Sequence, residues 1–252
     1  MNKVLITGAT SGIGEACAHV FAENNYDLII TGRRLDRLEK LAAEIKEKHQ
    51  VNVLTLNFDV RNREDVISYL GRVPAEWQQV DVLINNAGLS SGLEPFQDCN
   101  FDDWDLMVDT NVKGLLYVSK IVANWMIANK KGHIVNLSSI AGIEVYPNGN
   151  VYCASKHAVD ALNKAMRIDL LSSGIRVTGI YPGSVETEFS NVRFKGDDTR
   201  AKKVYEGYDP LVAADIAETI FWTTSRSAHV NINELVIMPT AQATATNYFR
   251  KS

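Results

Sequence analysis

Tyr152 and Lys156 stand four residues apart in the stretch Tyr152-Cys153-Ala154-Ser155-Lys156. On a helix, positions i and i+4 share a face, so a phenol and an ammonium at this spacing lie side by side. A neighbouring ammonium favours the phenolate and lowers the tyrosine pKa from its ordinary value of about 10. Such a pair would give and take a proton near neutral pH. Tyrosine and lysine also fall at this spacing on many solvated helices, so the pair carries chemistry only if other segments build a site around it.

Several other stretches have residue types suited to such a site. Thr7-Gly8-Ala9-Thr10-Ser11-Gly12-Ile13-Gly14 follows the first apolar run. Glycines there allow a tight turn and bring backbone amides to a pyrophosphate at a helix N-terminus, the mark of dinucleotide binding. After the second run comes Gly32-Arg33-Arg34. An acidic residue at this place would take a ribose 2′-hydroxyl, whereas arginine suits a 2′-phosphate and so points to NADP. Asp59-Val60 follows the third run, where Asp59 would either accept from an adenine amine or cap the next helix. Asn85-Asn86-Ala87-Gly88 follows the fourth. Asn111 falls inside a long helical pattern, where asparagine is a poor residue. It would bend the helix, hold a water or simply face solvent. Ser139 follows the fifth run, and the loop 140–150 is long enough to return its hydroxyl to Tyr152. After the sixth run, Tyr181-Pro182-Gly183-Ser184-Val185-Glu186-Thr187 opens a polar segment reaching about Tyr208, read as a structureless lid over a substrate.

The elements that must position these residues follow from the apolar pattern. Val4–Thr7, Leu28–Thr31, Val53–Leu56, Val82–Ile84, His133–Leu137, Arg176–Ile180 and Leu235–Ile237 read as strands that are apolar on both faces. Helical stretches lie between them near residues 13–24, 34–48, 63–71, 101–127, 151–172 and 210–224. This alternation predicts an α/β chain with a parallel, doubly wound sheet and ligands beyond the carboxyl ends of its strands.

Composition narrows the function classes. The 252 residues are 46% hydrophobic and 22% charged, enough for a core without disulfides. The three cysteines are scattered, which reads as free thiols in a reducing compartment. The histidines form no metal-ligand spacing, so no metal is expected. A net charge of −4 argues against a nucleic-acid partner. The strand-like start at Met1-Asn2-Lys3-Val4 leaves no room for a signal peptide, and no apolar run approaches a membrane span. A cytoplasmic protein acting on a small molecule is the expectation.

Taken in order, Thr7-Gly8-x-x-x-Gly12-Ile13-Gly14, Asn85-Asn86-Ala87-Gly88, Asn111, Ser139, Tyr152-x-x-x-Lys156 and Pro182-Gly183-x-Val185-x-Thr187 resemble the short-chain dehydrogenase/reductase family from end to end. The stretch from Thr187 to Asp198 is similar to the lid of the NADP-dependent 3-hydroxy acid dehydrogenases, or serine 3-dehydrogenases. Thr31-Gly32-Arg33-Arg34, Asp59-Val60-Arg61-Asn62-Arg63 and Met238-Pro239-Thr240-x-Gln242 extend that likeness. Some relatives have one more residue between Pro182 and Thr187, so substrate range would differ in detail.

The resemblance implies a Rossmann-type doubly wound sheet of about seven mostly parallel strands in a single domain, with the lid at about 188–208. It implies a homotetramer, with a dimer as fallback. Tyr152 would exchange a proton with the substrate oxygen, Ser139 would hydrogen-bond that oxygen, and Lys156 would lower the Tyr152 pKa and hold the nicotinamide ribose. Asn111 would anchor a water linking Lys156 to solvent. NADP would be held by Gly8, Thr10, Ser11, Gly12, Ile13, Gly14, Arg33, Arg34, Asp59, Val60, Asn86, Tyr152, Lys156, Pro182, Gly183, Val185 and Thr187. The expected substrate is a small 3-hydroxy acid such as L-serine, L-allo-threonine or 3-hydroxypropionate, or its 3-oxo form. Its carboxylate needs a cation, and Arg193 is the candidate beside the reading of an ordinary surface arginine. The alternatives are a reductase of another carbonyl class (3-oxoacyl thioester, sugar or pterin-like) and a non-catalytic NADP-sensing protein.

Overall fold

The computed structural model describes residues 1–251. The first half comprises β1 (Lys3–Ile6), α1 (Gly12–Glu23), β2 (Asp27–Gly32), α2 (Leu35–Lys48), β3 (Val53–Asn57), α3 (Arg63–Gly71) and β4 (Val82–Asn85). There follow α4 (Phe101–Val108), α5 (Leu115–Asn129), β5 (His133–Leu137), α6 (Asn150–Asp169), β6 (Arg176–Pro182) and β7 (Val185–Glu186). The remainder is α7 (Phe189–Arg193), α8 (Asp198–Lys203), β8 (Leu211–Val212), α9 (Ala213–Thr224) and β9 (Glu234–Ile237).

The seven expected runs form one seven-stranded sheet in the order β3-β2-β1-β4-β5-β6-β9, every pair parallel. The strands are apolar throughout because both faces are covered. Val4, Ile6, Leu28 and Ile30 pack with Phe21 of α1, Leu38 of α2 and Ile220 of α9. Leu5, Ile29 and Leu83 face the other way, onto Leu70 of α3 and Val118, Val122 and Met126 of α5. The chain moves outward from β1 to β3, then returns to lay β4 against the other side of β1. That reversal opens a crevice at the carboxyl ends of the two central strands. Among the described residues no helix is long and apolar enough to cross a membrane.

Two elements differ from the sequence expectation. The helix expected over 101–127 is broken into α4 and α5 by a π-helical turn at Asp109–Gly114. The break has an identifiable cause. Asn111 turns its amide inward, accepting from Leu89 N at 2.8 Å and donating to Leu89 O at 2.8 Å and Ser155 Oγ at 3.0 Å. The same turn lays Gly114 against Val60, where a Cβ would come within 2.7 Å of Val60 Cγ2.

The segment after β6 is not structureless. It contains the short pair β7–β8 and helices α7 and α8. Its polar sequence conceals a sparse inward face of Ser190, Phe194, Ala201 and Tyr208, all buried. Asp197 caps α8 by accepting from Arg200 N, and Tyr205 OH donates to Val185 O at 2.9 Å. A later segment closes on this one. Arg250 lies over the rings of Tyr208 and Tyr248 and donates to the carbonyls of Val204 and Glu206, while Lys251 N donates to Gly207 O at 2.7 Å.

Candidate active site

Tyr152 and Lys156 occupy the first turns of α6 and are both buried, Lys156 to 5% exposure. Ser139 follows β5 and opens a short turn, its Oγ accepting from Ala141 N at 3.1 Å. The return loop brings Ser139 and Tyr152 to line one cleft, close enough for the Ser139 hydroxyl to act on the phenol.

The electrostatics of the pair depart from the expectation. Burial pushes the Tyr152 phenol up, and Tyr146 adds to this. The Ser139 hydrogen bond and the Arg193 charge pull it down less strongly. Lys156 Nζ lies 6.0 Å from the Tyr152 ring centre and donates instead to Leu137 O at 2.9 Å. Dehydration of the phenol therefore outweighs the neighbouring ammonium. Burial also pushes Lys156 down to about 8, because a charge removed from water is less stable than the neutral amine.

Gly88 brings Asn111 close to Lys156. A Cβ on Gly88 would lie 3.3 Å from Asn111 Oδ1 and 3.4 Å from Lys156 Nζ, so both polar atoms border one small gap. Asn111 Nδ2 has given both hydrogens to protein partners, and its Oδ1 keeps one lone pair beyond the Leu89 contact.

Nearly all of the residues named as cofactor ligands line one cleft of about 330 Å³, within the usual pocket range of roughly 300–1,000 Å³. They are Gly8, Thr10, Ser11, Gly12, Ile13, Arg33, Arg34, Asp59, Val60, Asn86, Tyr152, Lys156, Pro182, Gly183, Val185 and Thr187. Gly14 lies behind the turn, where a Cβ would run into the Gly8 carbonyl oxygen. Gly8 and Gly12 adopt φ of 69° and 56°, the left-handed region that glycine alone enters freely. Ser11 places no side chain over the first amides of α1, so that helix end keeps free donors for an anion. These features fit a bound pyrophosphate. Asn86 fastens the turn by donating to Thr7 O at 2.8 Å and Gly8 O at 3.1 Å.

At the other end of the cleft, Arg34 folds over the glycine turn. Its Nη2 donates to Thr10 Oγ1 at 2.9 Å and Ser11 Oγ at 2.8 Å. Arg33 stays exposed, 3.9 Å from Asp59. Asp59 does not cap α3, since Asn62 does so by accepting from Glu64 N and Asp65 N. Asp59 is held by Arg61 at 2.6 Å.

Arg193 is not a free surface arginine. It donates from Nη2 to Tyr146 OH at 3.0 Å and from Nε to Gly92 O at 3.4 Å, and its guanidinium lies 5.8 Å from the Tyr152 ring centre. Phe189 of α7 packs on Tyr152 with ring centres 5.7 Å apart. Sequence reasoning gave no role to Tyr146, Phe189 or Glu188, all of which border this site. Only the loop position of Tyr146 and the lid likeness around Glu188 and Phe189 could have signalled them. Among the described residues no group of three or more His, Cys, Asp or Glu side chains is gathered as a metal would require.

A model of the short chain dehydrogenase family matches residues 2–198. The chain is 47% identical over 243 residues to an NADP-dependent 3-hydroxy acid dehydrogenase of Salmonella typhi, covering 96% of each. It is 45% identical over 241 residues to sulfoacetaldehyde reductase 2 of Chromohalobacter salexigens, covering 95% of each. Its fold superposes on the closed form of a serine dehydrogenase complexed with NADP⁺ with a TM-score of 0.93 and 43% identity, covering 99% of this chain and 100% of the other. The likeness extends from the glycine turn through Ser139, Tyr152 and Lys156, and the chain belongs to the short chain dehydrogenase family.

Proposed function

We propose that this chain is an NADP-dependent oxidoreductase that interconverts a small 3-hydroxy acid and its 3-oxo form. The observation that carries the reading is Arg193, a cation held by Tyr146 and aimed over the ring of Tyr152. An anionic group bound there would set its neighbouring carbon–oxygen bond beside the Ser139–Tyr152 pair. The names of the relatives support the substrate class and the cofactor. L-Serine, L-allo-threonine and 3-hydroxypropionate are the proposed members.

When bound, NADP supplies the hydride in reduction and accepts it in oxidation. Gly8, Gly12 and the open end of α1 would hold its pyrophosphate, and Arg33 and Arg34 its 2′-phosphate. Pro182, Gly183, Val185 and Thr187 would hold its nicotinamide end. Tyr152, its pKa raised by burial, keeps its proton at neutral pH and so stands ready to give it to a carbonyl oxygen. Ser139 donates to the same oxygen and stabilises its developing charge. Lys156 fixes this geometry from Leu137 O and would meet the nicotinamide ribose. The gap at Gly88 supports a relay role for Asn111. Residues 188–208 act as the lid, and α7 sets Phe189 and Arg193 over the site.

A second reading has its own support. A guanidinium selects negative charge and geometry, and a sulfonate offers both. The relative named sulfoacetaldehyde reductase fits that reading.

Assembly as a cytoplasmic homotetramer belongs to the same proposal. Exposed Phe101, Val108, Leu116, Ile168 and Leu171 on or beside α4, α5 and α6 offer apolar surface for a partner copy. Sedimentation velocity should give four times the chain mass, and a monomer at micromolar concentration would refute it.

Replacing Arg193 by Met should lower kcat/KM for a charged hydroxy acid by about 10- to 100-fold, the worth of one charge-assisted hydrogen-bonding group. A neutral ketone should lose far less, and equal losses would reject the clamp. The double change Arg33→Ala/Arg34→Ala should reduce the preference for NADPH over NADH by at least about 10-fold by the same reasoning. A preserved preference would reject the 2′-phosphate assignment.

Lys156 also predicts a pH effect on stability. Its folded pKa of about 8 lies below its ordinary 10.5, so between these values the unfolded chain binds more protons and stability rises with pH. The penalty for the buried charge is present in full below pH 8 and is relieved through that window. Urea unfolding of wild type and Lys156→Met should show the difference (wild type minus variant) rising from pH 8 to 10. A flat or falling difference would contradict the burial argument.

A further inference from the structure

The cationic end of the cleft already holds an anion. Glu188, the residue immediately before α7, reaches back to α2 across 151 positions of sequence. Arg37 Nη1 donates to its two carboxylate oxygens at 2.8 and 3.0 Å, and Arg34 Nη1 donates to one of them at 3.1 Å. Arg34 meanwhile keeps Nη2 on the hydroxyls of Thr10 and Ser11. One guanidinium thus connects the glycine turn to the lid, and a second, Arg37, completes the grip. The two arginines hold the Glu188 carboxyl below its ordinary pKa, Arg37 having the larger effect.

A single exposed ion pair contributes little to stability. The significance here is occupancy. A carboxylate sits where an anion can be gripped by two guanidiniums, at the place where the sequence sets arginines for a 2′-phosphate. No sequence motif assigned Arg37 or Glu188 any part in this.

We propose that Glu188 is the resident counter-ion of the 2′-phosphate site and that, with Arg37, it sets discrimination between NADP(H) and NAD(H). The inference rests on the reading of Arg33 and Arg34 as phosphate ligands given above. NADP(H) enters by taking the arginines from the carboxylate, an anion exchange. NAD(H) has no phosphate there and leaves the carboxylate in place. Before binding, Glu188 keeps the two guanidiniums from repelling one another. After turnover, its return competes with the phosphate and speeds release. The exchange also reaches the substrate end, because Thr187 packs at Gly12 and Phe189 packs on Tyr152 on either side of Glu188.

The test is equilibrium and stopped-flow binding of NADPH and NADH, read by nicotinamide fluorescence. Glu188→Gln keeps the shape and removes the charge. Its Kd for NADPH should fall about three- to ten-fold, as expected for one unit charge lost at a few ångströms in a solvated site. The gain should appear mainly as slower dissociation, should shrink as salt is raised, and should be clearly smaller for NADH. Arg37→Met should do the reverse, weakening NADPH more than NADH, and it keeps the idea testable if the lid variant folds poorly. An NADPH affinity that is unchanged or weaker in Glu188→Gln, or an equal gain for NADH, overturns the proposal. If Glu188→Gln gives one of those results while Arg33→Ala/Arg34→Ala still removes the NADPH preference, the phosphate site stands and only the counter-ion idea fails. If that double variant keeps the preference, the site reading itself has failed.

Discussion

An ammonium group withdrawn from water must be solvated by the protein, at a cost of several kcal/mol if it is not. Lys156 imposes that requirement on the centre of this molecule. Leu137 meets it with the carbonyl at the end of β5. Gly88 meets it by having no side chain, which lets the Asn111 oxygen approach the same space. Asn111 can point there only because its backbone is wound into a π turn between α4 and α5. The break in the long helix, the small residue after β4 and the seating of α6 on β5 thus all border the space around this one charge. The Tyr152 hydroxyl is buried in the same place, and burial pushes its pKa up.

The two ends of the cleft handle their cations differently. Arg193 rests on a neutral phenol and a backbone carbonyl. Its charge is oriented without being neutralised. Arg34 and Arg37 rest on a full carboxylate. Half of their charge is cancelled until something replaces that carboxylate. Both arrangements are assembled by the lid, since Glu188 lies at one end of α7 and Arg193 at the other. A helix of little more than one turn therefore spans the distance between cofactor specificity and substrate charge.

Much of this was legible in the sequence because the fold is written in strong local signals. Seven apolar runs separated by helical patterns allow few arrangements, and the residues after each strand had to line the crevice. Glycines at 8 and 12 announced a tight turn, and both take positive φ there. Ser139 reached Tyr152 because the connecting loop permits little else. What the sequence hid were energies set by burial and contacts set by long-range closure. The i,i+4 spacing of Tyr152 and Lys156 says they share a face, but not that dehydration will outweigh their attraction. Asn111 looked like a helix flaw, and its partners Leu89 and Ser155 lie 22 and 44 residues away. The lid read as structureless because its inward face is only four residues deep in a polar run. Glu188 was only one residue of the lid stretch, since its partners Arg34 and Arg37 lie at the start of α2, more than 150 positions away.

The contact between residues 248–251 and the lid ties the cover of the site to a segment far from it in sequence. The cofactor turn and the three strands on its side, β1 to β3, are specified by Asn57. Ser139, Tyr152 and Lys156 follow in sequence. The covering segment is fastened in part by Tyr248, packed on Tyr208, and by Arg250, which donates to the carbonyls of Val204 and Glu206. The cover over the reacting groups therefore depends on residues about a hundred positions further along the chain than Tyr152 and Lys156, and loss of that last short stretch would loosen the lid while leaving the groups beneath it in place.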